Sequence, residues 1–169
     1  MCAFLQDNTI PWTENRKLAW SDFQGKPDAS SPFKAKTESS LDIQISTKGM
    51  EATITMKTSF SKTASWVKTP TDLLLKHEQT HFDIAELWTR KFKQKLKGKT
   101  FPVSGFQKML NSLHGEIQRE GHAMQALYDK ETNHSILEKE QDKWTKKINA
   151  DLKSLSEFTG PTVTCKLSK

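Results

Sequence analysis

The chain has 169 residues, 34% of them hydrophobic and 27% charged, with a mean hydropathy of −0.70. That length supports one domain with its own core and excludes two large ones, and no run approaches the roughly 18 apolar residues a membrane span needs. A surplus of 26 Lys and Arg over 20 Asp and Glu gives +6, a balance that permits an acidic partner without requiring one.

Taken in chain order, Met1 to Leu5 is apolar but too short and too plain for a signal peptide, and fits the stub of a removed export signal. Leu18-Ala19-Trp20-Ser21-Asp22-Phe23 reads as a strand, broken by Gly25 and Pro27. Leu41, Ile43 and Ile45 alternate with polar residues, Thr47-Lys48-Gly49 turns, and Met50, Ala52, Ile54, Met56 and Phe60 alternate again, which predicts a hairpin with one buried face. After Trp66 the period changes. Thr69 and Pro70 can open a helix whose stripe Leu74, His77, His81, Ala85, Trp88, Phe92, Leu96 recurs every three or four residues until Gly98. The run Arg90, Lys91, Lys93, Lys95, Lys97 and Lys99 falls at the end of that helix, where cations complement the macrodipole. No aromatic or glycine pattern of a nucleic-acid module accompanies it, so no nucleic-acid partner is expected.

A second helix starts near Ser104 and carries Phe106, Leu110, Leu113, Ile117, Gly121, Met124 and Tyr128, and a third carries Leu137, Trp144, Ile148, Leu152 and Leu155. Gly160-Pro161 closes the helical part, and Thr162 to Leu167 reads as a last short strand. The expected architecture is one α+β domain over residues 1–169, with an antiparallel sheet first (strand-rich 15–68) and three helices after it (helical 70–158). Trp20, Trp66, Trp88 and Trp144 are expected to fill the space between the layers. The two cysteines, Cys2 and Cys165, stand at opposite ends, so thiolate metal spacing is absent and a disulfide between them is optional.

The chemistry concentrates in His77-Glu78-Gln79-Thr80-His81. Histidines four residues apart project from one helix face and reach one metal ion together. The glutamate beside the first histidine flanks that site, where it can take a proton from metal-bound water without ligating. The bland alternative is a pair of hydrogen-bonded core histidines with Glu78 in solvent. Both histidines lie on the stripe where a core-facing helix normally carries Leu or Ile, and two buried imidazoles need polar or metallic company. The pattern therefore points to a zinc site. Lys76 before the motif and Asp83 after it depart from its usual surroundings.

A catalytic zinc needs a third protein ligand and one open position. The extended motif with a distal Gly and His is excluded, because Ile84 and Leu87 stand there. Glu116, Glu120, His122, Glu131 and His134 remain as candidates. An antiparallel pair of helices joined through Lys99 to Val103 would set residues 120–124 level with the histidines and favour Glu120, whereas the polar segment Tyr128 to His134 favours His134. Residue pattern alone leaves both open.

Several blocks together resemble a known family. These are Leu18-Ala19-Trp20-Ser21-Asp22-Phe23-Gln24-Gly25-Lys26-Pro27, the long Leu75-Lys76-His77-Glu78-Gln79-Thr80-His81-Phe82-Asp83-Ile84-Ala85-Glu86, Tyr128-Asp129-Lys130-Glu131-Thr132-Asn133-His134, and then Gln141 and Trp144. From Leu18 to about Leu152 the chain resembles a bacterial domain of formerly unknown function whose members are described as predicted secreted zinc-dependent proteases. The resemblance implies a zincin-like fold around the first long helix, export to the periplasm or beyond, and His134 as third zinc ligand ahead of Glu120 and Glu131. Ser135 stands where the family pattern has Gly.

The expected function is a zinc metallopeptidase acting on a peptide or protein substrate, with Zn2+ on His77, His81 and His134 and Glu78 as general base. Tyr128 would steady the oxyanion, and Asp83 and Glu86 would accept hydrogen bonds from the outer nitrogens of the ligating histidines. An edge strand of the sheet would hold an extended substrate. The alternative function is a non-catalytic, zinc-stabilised binding module of the bacterial envelope.

Overall fold

The computed structural model describes residues 8–169. The expectations for Met1 to Leu5 and for pairing of Cys2 fall outside them, while Cys165 is buried. The predicted hairpin forms as β3 (Ser39–Lys48) and β4 (Glu51–Ser61), joined by the two-residue turn Gly49-Met50. Gly49 has φ +60°, the left-handed conformation such turns require of their first residue. Ala52, Ile54 and Met56 point to the core at every second position.

β4 is the hub of the sheet. β1 (Thr9–Pro11) pairs antiparallel with its end, Ser59 to Ser61, and β7 (Thr162–Ser168) pairs antiparallel with its start, Glu51 to Thr55. β6 (Thr100–Pro102) adds to β7 in parallel. The expected order of sheet first and helices after is thus modified at the C-terminus, where β7 re-enters the sheet from the end of the chain. A separate two-stranded piece pairs β2 (Ala35–Lys36) with β5 (Trp66–Val67).

Leu18 to Phe23 does not make the expected strand; Trp20–Asp22 is a single 3-10 turn. Asp22 explains it, because its carboxylate accepts the Ala19 N–H at 2.8 Å and holds the Arg16 guanidinium at 2.7 and 2.8 Å. A local side-chain acceptor of this kind offers the backbone an alternative to a ladder. Leu18 and Phe23 then bury on either side of the turn, against Ile10, Phe60 and Phe82. Gly25 follows, where its N–H donates to the Ser65 carbonyl at 2.8 Å. A Cβ there would stand 2.7 Å from the carbonyl oxygens of both Ser65 and Thr63. Gly25→Ala is therefore expected to cost about 1–3 kcal/mol, read as a lower denaturant midpoint with an unchanged slope.

α1 (Asp72–Leu96) starts two residues later than the sequence suggests. Thr71, not Thr69, is the cap, with extended backbone and its hydroxyl accepting Leu74 N–H at 3.2 Å. α2 (Phe106–Thr132) and α3 (Glu138–Ser154) pack against α1, which also contacts the sheet and so is covered on most sides. That position explains its buried charges. Arg90 Nε donates to Glu86 at 2.9 Å and Nη1 to the Leu152 carbonyl at 2.8 Å, and Glu86 also accepts from Thr58 Oγ1 at 2.8 Å.

Most of the basic run is engaged by neighbouring groups, and Lys99 is exposed. Lys91 lies over the Trp88 ring at 4.0 Å, and Lys93 Nζ donates to the carbonyls of Phe158 and Gly160 at 3.1 and 2.7 Å. Lys95 pairs with Glu116 at 2.5 Å, and Lys97 pairs with Glu157. Among the described residues no helix is long and apolar enough to cross a membrane.

Candidate metal centre

α1 presents His77 and His81 one turn apart, with ring centroids 4.6 Å apart. α2 brings Asp129 to both: its Oδ1 lies 3.0 Å from His77 Nε2 and 2.9 Å from His81 Nε2, and the two Nε2 atoms are 3.0 Å from each other. The outer nitrogens fix the chemistry of this triangle. His77 Nδ1–H donates to Gln141 Oε1 of α3 at 2.9 Å, and His81 Nδ1–H donates to Gln125 Oε1 of α2 at 2.5 Å. The amide directions follow from their other ends, since Gln125 Nε2 donates to the His81 carbonyl at 2.9 Å and Gln141 Nε2 faces the hydroxyls of Thr80 and Thr145. With both protons held on Nδ1, each neutral imidazole turns a bare Nε2 lone pair inward.

Two lone pairs and a carboxylate oxygen converging at about 3 Å repel unless a cation joins them. A proton relieves one contact; a metal ion relieves all three. His77, His81 and Asp129 thus form a group able to hold a metal ion, and the donor set of two imidazoles and one carboxylate fits one. Where no ion sits, a proton on the Nε2 side takes its place. Burial pushes the Asp129 carboxyl up, but in that protonated state hydrogen bonding from the adjoining imidazoles outweighs it and holds the group well below the usual carboxylate range. For His81 burial pulls down, yet the Asp129 hydrogen bond and the nearby Glu78 charge leave the imidazole above its ordinary value.

Sequence reasoning missed Asp129 because it assumed a tight turn between α1 and α2. The connection instead makes β6 and a 3-10 turn before α2 begins, so α2 lies about one turn out of the assumed register. Gly121 meets Trp88, and Gln125 and Asp129 are level with His81 and His77. The i, i+4 spacing of Gln125 and Asp129 on one helix face was the available signal.

The other candidates are placed as follows. Glu116 and Glu120 pair with Lys95 at 2.5 and 3.7 Å, Glu131 accepts from Trp144 Nε1 at 2.8 Å, and His122 is exposed. His134 stands at the rim, half-exposed, with Nδ1 3.6 Å from Asp129 Oδ1. It lies in a run of three left-handed residues, Asn133, His134 and Ser135, with φ of 46°, 51° and 75°. The Phe33 ring faces it at 5.0 Å.

Tyr128 does not face the opening. Its ring stacks on His77 at 4.6 Å, and its hydroxyl, in the buried interior, donates to the His77 carbonyl at 3.3 Å. Oxyanion stabilisation has no geometry there, and the residue positions His77 instead. Asp83 and Glu86 are also elsewhere. Asp83 is two residues past His81, about 200° around the helix, and binds the N-terminal segment: it accepts from Trp12 Nε1 at 2.7 Å and from Gln79 Nε2 at 2.8 Å. Gln79 Oε1 in turn accepts the Leu18 N–H at 2.8 Å. Gln79 and Asp83 thereby tie the histidine block of α1 to the Trp12 to Leu18 segment. Burial, only partly countered by Lys17 and these bonds, pushes the Asp83 carboxyl up.

The triad opens into a cleft of about 640 Å³. Glu78 lines it, nearly buried, and its carboxylate takes no hydrogen bond from any described residue. One wall is the stretch 32–37, the other the end of α2 and the left-handed turn. The backbone parity of the first wall is informative. Lys34 and Lys36 pair with β5, and Glu38 accepts Ser61 N–H at 2.9 Å, so the even residues bond inward to β5 and then β4. By alternation, the N–H and C=O of Ala35, Thr37, Ser39 and Leu41 point to the opposite edge, the one bordering the cleft.

Comparison with curated proteins and with solved structures found no match. Residues 26–135, which include the triad, Glu78 and both walls of the cleft, match the family described as bacterial protein of unknown function (DUF922), and the chain belongs to that family.

Proposed function

We propose that the chain is a zinc metallopeptidase, with the ion held by His77, His81 and Asp129, His134 beside them, and Glu78 as general base. The observation that carries this reading is the convergence of two Nε2 lone pairs and the Asp129 carboxylate at the floor of an open cleft, with an unengaged glutamate on its wall. When bound, zinc supplies Lewis acidity toward a carbonyl and lowers the pKa of a water. Glu78 would take the proton from the attacking water and return it to the leaving amine. The open edge from Ala35 to Leu41 pairs with an extended substrate backbone, which fixes the scissile bond over α1 without regard to side chains.

Metal analysis of protein purified without a histidine tag tests the reading. About one zinc per chain is expected, retained in Glu78→Gln, together with peptide cleavage that falls by roughly 10²–10⁴-fold in that variant. Zinc-free protein, or cleavage untouched by Glu78→Gln, would count against it. One observation favours the second reading, an envelope binding module that holds zinc without turnover: His134 Nδ1 is near enough to Asp129 to close the fourth position after a small movement. Four protein ligands in an absorption spectrum of the cobalt-substituted chain would mark that closed site.

A further inference from the structure

A second cleft, about 150 Å³, continues the first along the same helices. Its walls are Ser39 to Leu41 on the open edge, Ala85 and Trp88 on α1, and His114 and Gln125 on α2. Gln125 lines this second cleft and binds His81 Nδ1, so one side chain separates it from the candidate metal centre. The edge whose N–H and C=O groups are free runs past both. From His81 to Trp88 the helix advances about 10 Å, the length of three residues of extended chain.

The walls hold two buried polar atoms without a partner, Trp88 Nε1 and His114 Nε2. Gly121 lets the indole press on α2, since an added Cβ would meet Trp88 Cγ and Cδ1 at 3.2 and 3.3 Å. The His114 ring is stacked parallel on Phe92 at 5.6 Å, and burial alone holds its basicity down. Such groups are costly to leave unmet in a core. No carboxylate lines the cleft, and the side chains around it offer indole, imidazole, amide and hydroxyl donors.

We propose that this second cleft is a side-chain subsite of the peptide groove, taking a residue about three positions from the reacting bond whose side chain ends in an oxygen acceptor, an amide or a carboxylate. The inference rests on the peptide-binding reading given above. An entering acceptor reaches the unpaired nitrogens of Trp88 and of His114 in its Nε2–H tautomer, both covered in this structure, once the two rings turn toward the cleft, while the substrate backbone pairs with Ser39 and Leu41. The chain would then select substrates at a distance from the reacting bond, where the open edge alone cannot discriminate.

The test uses the full chain as the Glu78→Gln variant with added zinc, and fluorescein-labelled extended heptapeptides in which Gln, Glu, Leu or Gly is moved through each position. Fluorescence anisotropy is expected to show one position at which Gln or Glu binds about tenfold tighter than Leu, and the Gln and Glu arms tell a neutral amide from a carboxylate. Adding His114→Phe keeps the stack on Phe92 and removes the nitrogen, so the preference is expected to disappear while Leu peptides still bind. Equal binding of all four at every position, or a preference untouched by His114→Phe, overturns the subsite and leaves the peptide reading standing. No binding of any peptide overturns both.

Discussion

Asp129→Ala is expected to lose metal more completely than any change outside the two histidines, with affinity falling by roughly 100-fold or more, beyond the range for removing a partner that only orients a ligand. The carboxylate oxygen is within 3.0 Å of both Nε2 atoms and is the sole negative charge in the triangle. Without it two neutral imidazoles remain, which hold a divalent ion weakly. His134→Ala is expected to cost less, because that ring is half-exposed and contacts the triad only through Asp129, at 3.6 Å. Chelator competition on the two variants, beside far-UV circular dichroism to confirm folding, orders the pair. A chain that keeps its metal without Asp129 and loses it without His134 would restore the ligand assignment that the resemblance implies.

The largest loss of stability is expected at Arg90. Its side chain is 5% exposed and that of Glu86 7%, and it ties three parts of the fold: Glu86 on its own helix, the Leu152 carbonyl on α3, and the Trp12 ring at 5.0 Å beyond β1. Arg90→Ala leaves Glu86 as an unpaired buried charge and opens a cavity beneath Trp12. Breaking a buried pair on one side costs about 3–5 kcal/mol, a large part of the roughly 5–15 kcal/mol that a domain has in total. Arg90→Met, which retains the stem's packing, together with Glu86→Gln, which removes the orphaned charge, is expected to recover much of that loss. Urea unfolding of the single and double variants measures it. A single variant within about 0.5 kcal/mol of the parent, the range of an ordinary surface change, would show that the pair is replaceable by water.

The hairpin, three helices and the last strand were legible because each has a regular period and a buried face. Ala52, Ile54 and Met56 alternate on β4, and His77, His81 and Trp88 keep helical spacing on α1. What misled was local. Asp22 bends its own backbone into a turn where apolar neighbours suggested a strand, and Thr100 to Pro102 leaves the helix connection to join the sheet. That second event moved the third member of the triad. His77, Glu78 and His81 could be found from one helix, since their relation is set by 3.6 residues per turn. Asp129, Gln125 and Gln141 could not, because their partnership depends on how three helices slide against each other, which no local period encodes. Tyr128 shows the same limit: its position was foreseen, but the direction of its hydroxyl is decided by the His77 carbonyl.

The unbroken parity from Lys34 to Asp42 gives this segment something like a reading frame. Even residues bond to β5 and then to β4, and odd residues keep the edge open, although β2 and β3 belong to different sheets. A single residue inserted at Thr37 would leave each strand's own pairing intact, yet it would have to bulge out of the segment and interrupt the continuous open edge along the cleft. The two residues between Lys36 and Ser39 are thus what lets two separate sheets present one continuous backbone edge to the helix beneath.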